Sequence, residues 1–526
     1  MNSLLLFIPL ATCLLGAFIG LVCASLAVVG LRRIQATQLG PRTQDAKPPI
    51  LSGATQRIPA SYGSWSLCLK CLLVLGLGSL MLGLLGARST QFSIGYERNP
   101  ASEWSDGRAP QLEPLIRKHC VPFMNCGKSI GLAVAVVTPT NATIMTFGRP
   151  SLSSGPQTGT NTLFEIGSIT KTFTALTLAR EIEHGIVRLD QPLQELLPPG
   201  VELPEEARGV TLRHLTTHSS GFPRLAANQS QLRGLGMLLF GSDPYAGYTE
   251  ADLLNAVRTV KLQSKPGTKF CYSNFAMTLL GHLLATKAGS SYEALAKREV
   301  CLPLGMQDTT VTFDRSQAPR AAQGYRAVLR CGPVVLALRS DPWFKGNNLG
   351  GAGALRSTAA DMLKYLQANM HPDGQPLEHA LVESHRELFQ EDERMALGMN
   401  WIRTQSERLQ QAMIWHNGGT GGFRSFIGFT ADSRFGVLIL SNSTEGVDDV
   451  AVELLRDLAK PPPSQDHPHT GPPSPLQSSL AGRPQPEGLT DSSRRSPGAA
   501  GGDLRGPLQE VGCTLAGVPE RKRHNG

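Results

Sequence analysis

In GSITKTFTALTLAREIE, Ser168 and Lys171 stand three residues apart at the start of an apolar helical run. On a helix that spacing puts both side chains on one face. A serine hydroxyl is a weak nucleophile until a base takes its proton, and a lysine serves as that base only if its ammonium pKa falls. The apolar neighbours Ile166, Ile169, Phe173 and Leu176 offer the burial that lowers it. A serine at a helix start also stands over the positive end of the helix dipole, which favours an anionic oxygen. Serine is a preferred N-cap, so the same spacing equally describes a capped helix followed by a solvated lysine.

Two further stretches supply parts that an active serine needs. In PGTKFCYSNFAMTLLG, Tyr272 and Asn274 are two apart, between a Pro-Gly turn and a helix. Residues i and i+2 of an extended segment point the same way. A tyrosine hydroxyl can relay a proton, and an asparagine amide can donate to a substrate carbonyl or hold the lysine. The plainer account is a core tyrosine and a capping asparagine. In IWHNGGTGGFRSFIGF, His416, Asn417, Gly418 and Gly419 lead into an apolar strand. Glycines let backbone approach a ligand closely, and a backbone N–H there can form half of an oxyanion hole. The plainer account is a glycine-rich turn beside a partly exposed histidine.

Taken in this order, the three elements resemble those of the serine β-lactamase-like superfamily, which includes class C β-lactamases, D-alanyl-D-alanine carboxypeptidases and related esterases. Its SxxK element is matched by Ser168-Ile-Thr-Lys171, its YxN element by Tyr272-Ser-Asn274 and its third element by His416-Asn-Gly418. LRHLTTHSSGFP, PLGM and HNGGTGGF look familial too, and the resemblance covers about residues 112 to 460. It implies Ser168 as the acylated nucleophile, Lys171 as its base and Tyr272 as the group that passes a proton to the leaving group. It implies that Asn274, His416 and Gly418 bind substrate, His416 by engaging a carboxylate or tuning Tyr272. The backbone N–H groups of Ser168 and Gly419 would form the oxyanion hole. The implied outcome is hydrolysis of an amide, lactam or ester through an acyl-enzyme, with no cofactor and no metal. Histidine stands where many relatives carry lysine, which argues against β-lactams as the substrate. The rival expectation is an inactive interaction protein that keeps the fold.

Other motifs fall short. His214 and His218 are four apart, a spacing suited to a metal, but the glutamate of HExxH is missing. GGTGG lacks the Lys-Ser/Thr of a P-loop, and Ser168 lacks the GxSxG elbow. The glycines of NNLGGAG, 347 to 353, fit either a pocket loop or plain packing.

The elements that must position these residues follow from periodicity. GLAVAVV and ATIMTFG read as strands around a turn, and FIGFTAD and RFGVLILS as a second strand pair. Helical periodicity marks the Ser168 segment, the centre of VTLRHLTTHSSGFP, YTEADLLNAVRTV, FAMTLLGHLLATKAG, SYEALAKREVCLPLG, STAADMLKYLQANM and VDDVAVELLRDLAK. Strands at both ends with helices between predict an α/β (α+β) domain over 112–460. Its antiparallel sheet joins the two ends, flanked by helices and a mainly helical subdomain, as in the β-lactamase/transpeptidase-like fold.

Composition bounds the rest. At 526 residues, 41% hydrophobic and 17% charged, the chain has the make-up of a globular protein. Its net charge of +8 is small for that length, and basic residues cluster only near the apolar N-terminal segments and in the tail, so no nucleic-acid footprint is read. An uncharged apolar run from Leu4 to Gly30 is long enough to span a bilayer, and a second lies between Lys70 and Arg88. The expected organisation is a transmembrane segment over 1–31, a basic cytoplasmic linker over 32–64 and a second span over 65–87. A stalk over 88–111 would follow, and beyond the domain a disordered Pro/Ser/Gly-rich tail over 461–526. The lipid bilayer is then a partner, and the catalytic domain is lumenal or extracellular. Sequons at Asn141, Asn228 and Asn442 fit that side of a membrane. Ten cysteines make no disulfide scaffold: Cys13, Cys23, Cys68 and Cys71 belong to the apolar segments, and of the others Cys120 and Cys126 are close enough for a local bridge.

Overall fold

The computed structural model describes residues 92–96, 103–152, 156–229, 242–331, 334–344 and 349–460. The transmembrane segments, the basic linker and the tail expected from the sequence lie outside these residues. No helix among the described residues is long and apolar enough to cross a membrane. The chain divides into two compact units, one of residues 1–94 with Leu336–Leu338 and one of Gly95–Val335 with Arg339–Gly526. All the candidate site residues belong to the second.

That unit is organised on a nine-stranded antiparallel sheet. Its strands are β1 (Glu103–Ser105), β2 (Gly131–Val137), β3 (Ala142–Gly148), β6 (Phe389–Gln390), β7 (Met395–Leu397), β8 (Ile402–Ser406), β9 (Gln411–Gly419), β10 (Arg424–Thr430) and β11 (Gly436–Ser441). Their order is β1-β3-β2-β11-β10-β9-β8-β7-β6. The expected union of the chain ends is the β2–β11 pairing, with Val134 opposite Ile439. A separate two-stranded pair joins β4 (Phe164–Glu165) to β5 (Arg356–Ser357).

The sheet is covered on both faces, which its alternation requires. Ala133, Ala135 and Val137 of β2 face one core, which includes Phe173, Leu176, Leu280 and Leu366. Leu132, Val134 and Val136 face the other, against Ile116 and Phe123 of α1 (Glu113–Asn125) and Leu455 of the C-terminal helix. The first core is built on α2 (Thr170–Glu183), α5 (Asn274–Lys287) and α7 (Ala359–Met370). Short helices α3 (Leu212–Thr216), α4 (Glu250–Arg258), α6 (Tyr292–Ala296) and α8 (Glu378–His385) complete the described helical part, and α9 (Asp448–Ala459) closes the second face. Helix starts carry the caps that the sequence offers: Thr249 on α4, Ser291 on α6 and Thr358 on α7 each accept a backbone N–H of the first turn.

Several expectations are corrected. The sheet begins inside the stretch read as a stalk, because Glu103–Ser105 pair with β3. Cys120 and Cys126 are free thiols, Cys120 buried and Cys126 exposed, rather than a bridge. Asn442 is fully buried: its Oδ1 accepts from the Gly131 N–H at 2.6 Å and its Nδ2 donates to the carbonyls of Arg149 and Pro150. An amide locked inside the fold cannot carry a glycan, so this sequon is a structural residue. The exposed Asn228 donates to the Asp252 carbonyl and accepts from the Tyr248 hydroxyl.

Candidate active site

Ser168, the expected nucleophile, is placed by a backbone device. Gly167, Ser168 and Ile169 form a 3-10 turn that runs directly into α2. Ser168 makes no capping bond, so the plain cap reading fails for it. Gly167 adopts φ +51°, and a Cβ there would meet the Gly419 nitrogen at 2.6 Å. Only glycine fits that conformation in that space. On the opposing strand a Cβ at Gly418 would collide with the Ile166 carbonyl oxygen, and the Ser425 hydroxyl donates to the same oxygen at 2.8 Å. The turn carrying Ser168 is thus pressed backbone to backbone against the end of β9, where the Ser168 and Gly419 N–H groups were expected to hold an oxyanion.

Lys171 lies on the first turn of α2 with no exposed surface. Its Nζ donates to Ser168 Oγ at 2.9 Å and to the Ala352 carbonyl at 2.6 Å. The solvated-lysine reading is excluded. Ala352 belongs to the glycine run that the sequence left open between pocket and packing, and both accounts hold. Gly351 packs on α5, with a Cβ there meeting the Met277 carbonyl at 2.6 Å, while Ala352 supplies the lysine's second acceptor.

Tyr272 and Asn274 are set by the serine between them. Ser273 caps α5 by accepting the Ala276 N–H at 2.9 Å and donates to the Pro223 carbonyl at 2.7 Å. That leaves Tyr272 outside the helix and Asn274 on its first residue; the capping role expected of the asparagine belongs to Ser273. Lys171 Nζ lies 4.9 Å from the Tyr272 ring centroid, and the Arg224 guanidinium 5.1 Å. Asn274 donates through Nδ2 to the Tyr245 hydroxyl at 3.2 Å, and its buried Oδ1 has no partner among the described residues.

His416 is fully buried, not partly exposed, with its ring 6.4 Å from that of Tyr272. Burial and the nearby Lys171 push its pKa down to about 3, so the imidazole is neutral. Its Nδ1–H donates to the Asn417 carbonyl at 2.6 Å, which leaves Nε2 as a bare acceptor, buried and without a partner among the described residues. A neutral ring is no counter-ion for a carboxylate. Of the two roles expected of His416, this geometry suits tuning Tyr272 and opposes carboxylate binding. Asn417 points to the other face of the strand, donating to Asp448 at the start of α9 at 2.7 Å.

Sequence reasoning missed His218. The zinc spacing that drew attention to it dissolves: His214 accepts the Thr211 N–H at the start of α3, and His218 packs on Tyr272 with ring centroids 4.4 Å apart. His218 takes φ +55° beside Ser219-Ser220-Gly221, a conformation that no residue spacing reveals. Burial first, then Lys171, His416 and Arg224, hold its pKa well below 6.5. Glu165, three residues before Ser168, and Arg356 form a buried ion pair at 3.3 Å between β4 and β5. Burial raises the Glu165 pKa against the pull of Arg356.

A serine hydroxyl at a helix start, a buried lysine on its oxygen, a flanking tyrosine and a glycine-edged strand come together within a β-lactamase/transpeptidase-like fold, the arrangement a serine hydrolase of that class requires. The comparison with known proteins agrees. The Beta-lactamase family model matches residues 116–460, and the chain belongs to that family. The D-alanyl-D-alanine-carboxypeptidase/endopeptidase AmpH of Escherichia coli is 25% identical over 348 residues, covering 62% of this chain and 84% of AmpH. A β-lactamase of Pseudomonas fluorescens is 26% identical over 372 residues, covering 64% of this chain and 94% of its own. The crystal structure of a β-lactamase/D-alanine carboxypeptidase from Yersinia pestis, complexed with citrate, shares the fold. It has a TM-score of 0.54 and 24% identity, covering 66% of this chain and 99% of that one.

Proposed function

We propose that this chain hydrolyses an amide, lactam or ester through a covalent acyl-enzyme on Ser168. The observation that carries the reading is the 2.9 Å contact between Ser168 Oγ and a lysine nitrogen without exposed surface. In its amine form Lys171 takes the Ser168 proton as Oγ attacks the carbonyl carbon. Negative charge then grows on the carbonyl oxygen, where the Ser168 and Gly419 N–H groups and the α2 dipole act on it. Tyr272, against Lys171, returns a proton to the leaving group as its bond to carbon breaks. Water then attacks the acyl carbon, giving up its proton to the same groups, and the acid leaves Ser168 free. Charge developing on the Tyr272 oxygen forms in the field of Lys171 and Arg224, while neutral His416 offers it or the substrate an acceptor.

A fluorophosphonate probe tests this directly. Covalent labelling of wild-type protein, mapped to Ser168 by peptide mass spectrometry and lost in Ser168→Ala, is the expected result. A folded wild-type chain that takes no label at Ser168 refutes the mechanism and leaves the interaction-protein reading.

The apolar runs before Arg88 and the basic linker between them further support a membrane-anchored enzyme with its domain on the lumenal or extracellular side. Alkaline carbonate extraction of the full chain should leave it in the membrane pellet, and release into the supernatant would contradict the anchor.

A further inference from the structure

The positive charge available to a substrate has an unusual source. Lys171 is committed to Ser168 and the Ala352 carbonyl. His416 and His218, the two histidines beside Tyr272, are both held neutral by burial. Arg424, next to Gly419, spends Nη1 on the carbonyls of Thr420 and Phe423. Arg224 remains. Its carbonyl accepts the N–H groups of Asn274 and Phe275 at 2.9 and 3.3 Å, which fixes it against the start of α5. Its guanidinium lies over the Tyr272 ring and, among the described residues, makes no ion pair and donates no hydrogen bond. The residue is only partly buried. A guanidinium over an aromatic ring spends no hydrogen bond on it and keeps its N–H groups available, in the fork that fits a carboxylate.

We propose that Arg224 is an anion subsite of this active site and that the substrate is an amide or ester carrying a carboxylate, gripped beside Asn274 rather than at His416. The inference rests on the hydrolase reading and adds the substrate class to it. The neighbouring groups agree. Tyr245 and Asn274 are uncharged hydrogen-bonding groups, and Asn274 Oδ1 is buried and unpartnered, ready for a donor such as an amide N–H next to the carboxylate-bearing group. The arrangement separates two tasks, with Lys171 serving the proton and Arg224 the substrate's charge.

Three esters test it on the full chain: p-nitrophenyl butyrate, mono-p-nitrophenyl glutarate with its carboxylate on the acyl group, and 3-carboxyphenyl butyrate with its carboxylate on the leaving group. Arg224→Gln should lower kcat/KM for at least one acid ester by about ten- to a hundredfold, mostly through KM, the worth of a charged hydrogen-bonded contact. The neutral ester, which loses only the cation beside Tyr272, should fall by a clearly smaller factor than that acid ester. Arg224→Lys keeps the charge and should retain a large part of the acid-ester activity, which separates charge from folding. An equal loss on neutral and acid esters overturns the proposal and makes Arg224 an electrostatic aid to Tyr272 instead. No loss on either acid ester overturns it, as does failure of a Ser168-labelled wild type to hydrolyse any acid ester. If Ser168 takes neither ester nor acyl probe, the hydrolase reading itself fails and takes this inference with it.

Discussion

His218 holds the backbone on both sides of Tyr272. Its carbonyl accepts the Cys271 N–H at 2.6 Å, its Nδ1 accepts the Ser273 N–H at 3.2 Å, and its ring packs on the tyrosine between them. Nδ1 can accept only in the neutral ring, so the low pKa and the clamp are two sides of one fact. His218 is a positioning residue for the tyrosine.

Removing that clamp should slow chemistry without weakening encounter. For labelling of Ser168 by an acyl probe, His218→Ala should reduce the maximal rate by about 10- to 100-fold with little change in the concentration for half-maximal rate. His218→Asn should recover much of the loss. Asparagine tolerates a positive φ, and its Oδ1 stands where Nδ1 accepts. Equal rates in wild type and His218→Ala, or an asparagine variant as slow as the alanine one, would remove the positioning role.

Gly418 makes a steric prediction. A methyl group at this position runs into the Ile166 carbonyl and the Ser425 hydroxyl, so Gly418→Ala must part β9 from the Ser168 turn. Misaligning the oxyanion donors by about 1 Å costs on the order of a hundredfold in acylation. Circular dichroism should keep its wild-type form, because the β9–β10 pairing extends well beyond this residue. Wild-type acylation by Gly418→Ala would mean that the close approach is dispensable.

The buried histidines couple stability to pH. His385 packs on Trp401, shares a 3.0 Å hydrogen bond with Asn369 and, through burial, has its pKa lowered to about 3. The unfolded chain protonates the same ring near pH 6.5. Below that point the unfolded state binds the extra proton, so the neutral ring's contribution is whole above pH 6.5 and falls away as pH drops toward 3. Urea unfolding between pH 4 and 6 should show stability rising with pH, and His385→Gln should reduce the slope by about 1.4 kcal/mol per pH unit, the value of one proton. An unchanged slope would show that His385 does not carry this linkage.

The local elements were legible in the sequence because local interactions make them. The unbroken apolar run GLAVAVV and the apolar periodicity of TKTFTALTLAREIE fit a buried strand and a helix. Ser168, Lys171, Tyr272 and His416 were singled out by residue type and spacing, and the chain meets at the β2–β11 pairing as its end strands suggested. The short strands β6 and β7 escaped because two or three residues carry no period, and α1 escaped with Pro122 inside it.

Charge state, burial and pairing between distant segments were decided only by the fold. Whether Lys171 was wet or dry depended on Ala352, 181 residues away. Whether Asn442 could carry a sugar depended on Gly131, and whether His416 was a cation depended on the packing around its strand. His218 looked like half of a metal pair until a left-handed turn set it against Tyr272. Spacing fixes which side chains share a local face. Solvation and proton affinity depend on everything that surrounds a group, and most of those neighbours are far away along the chain.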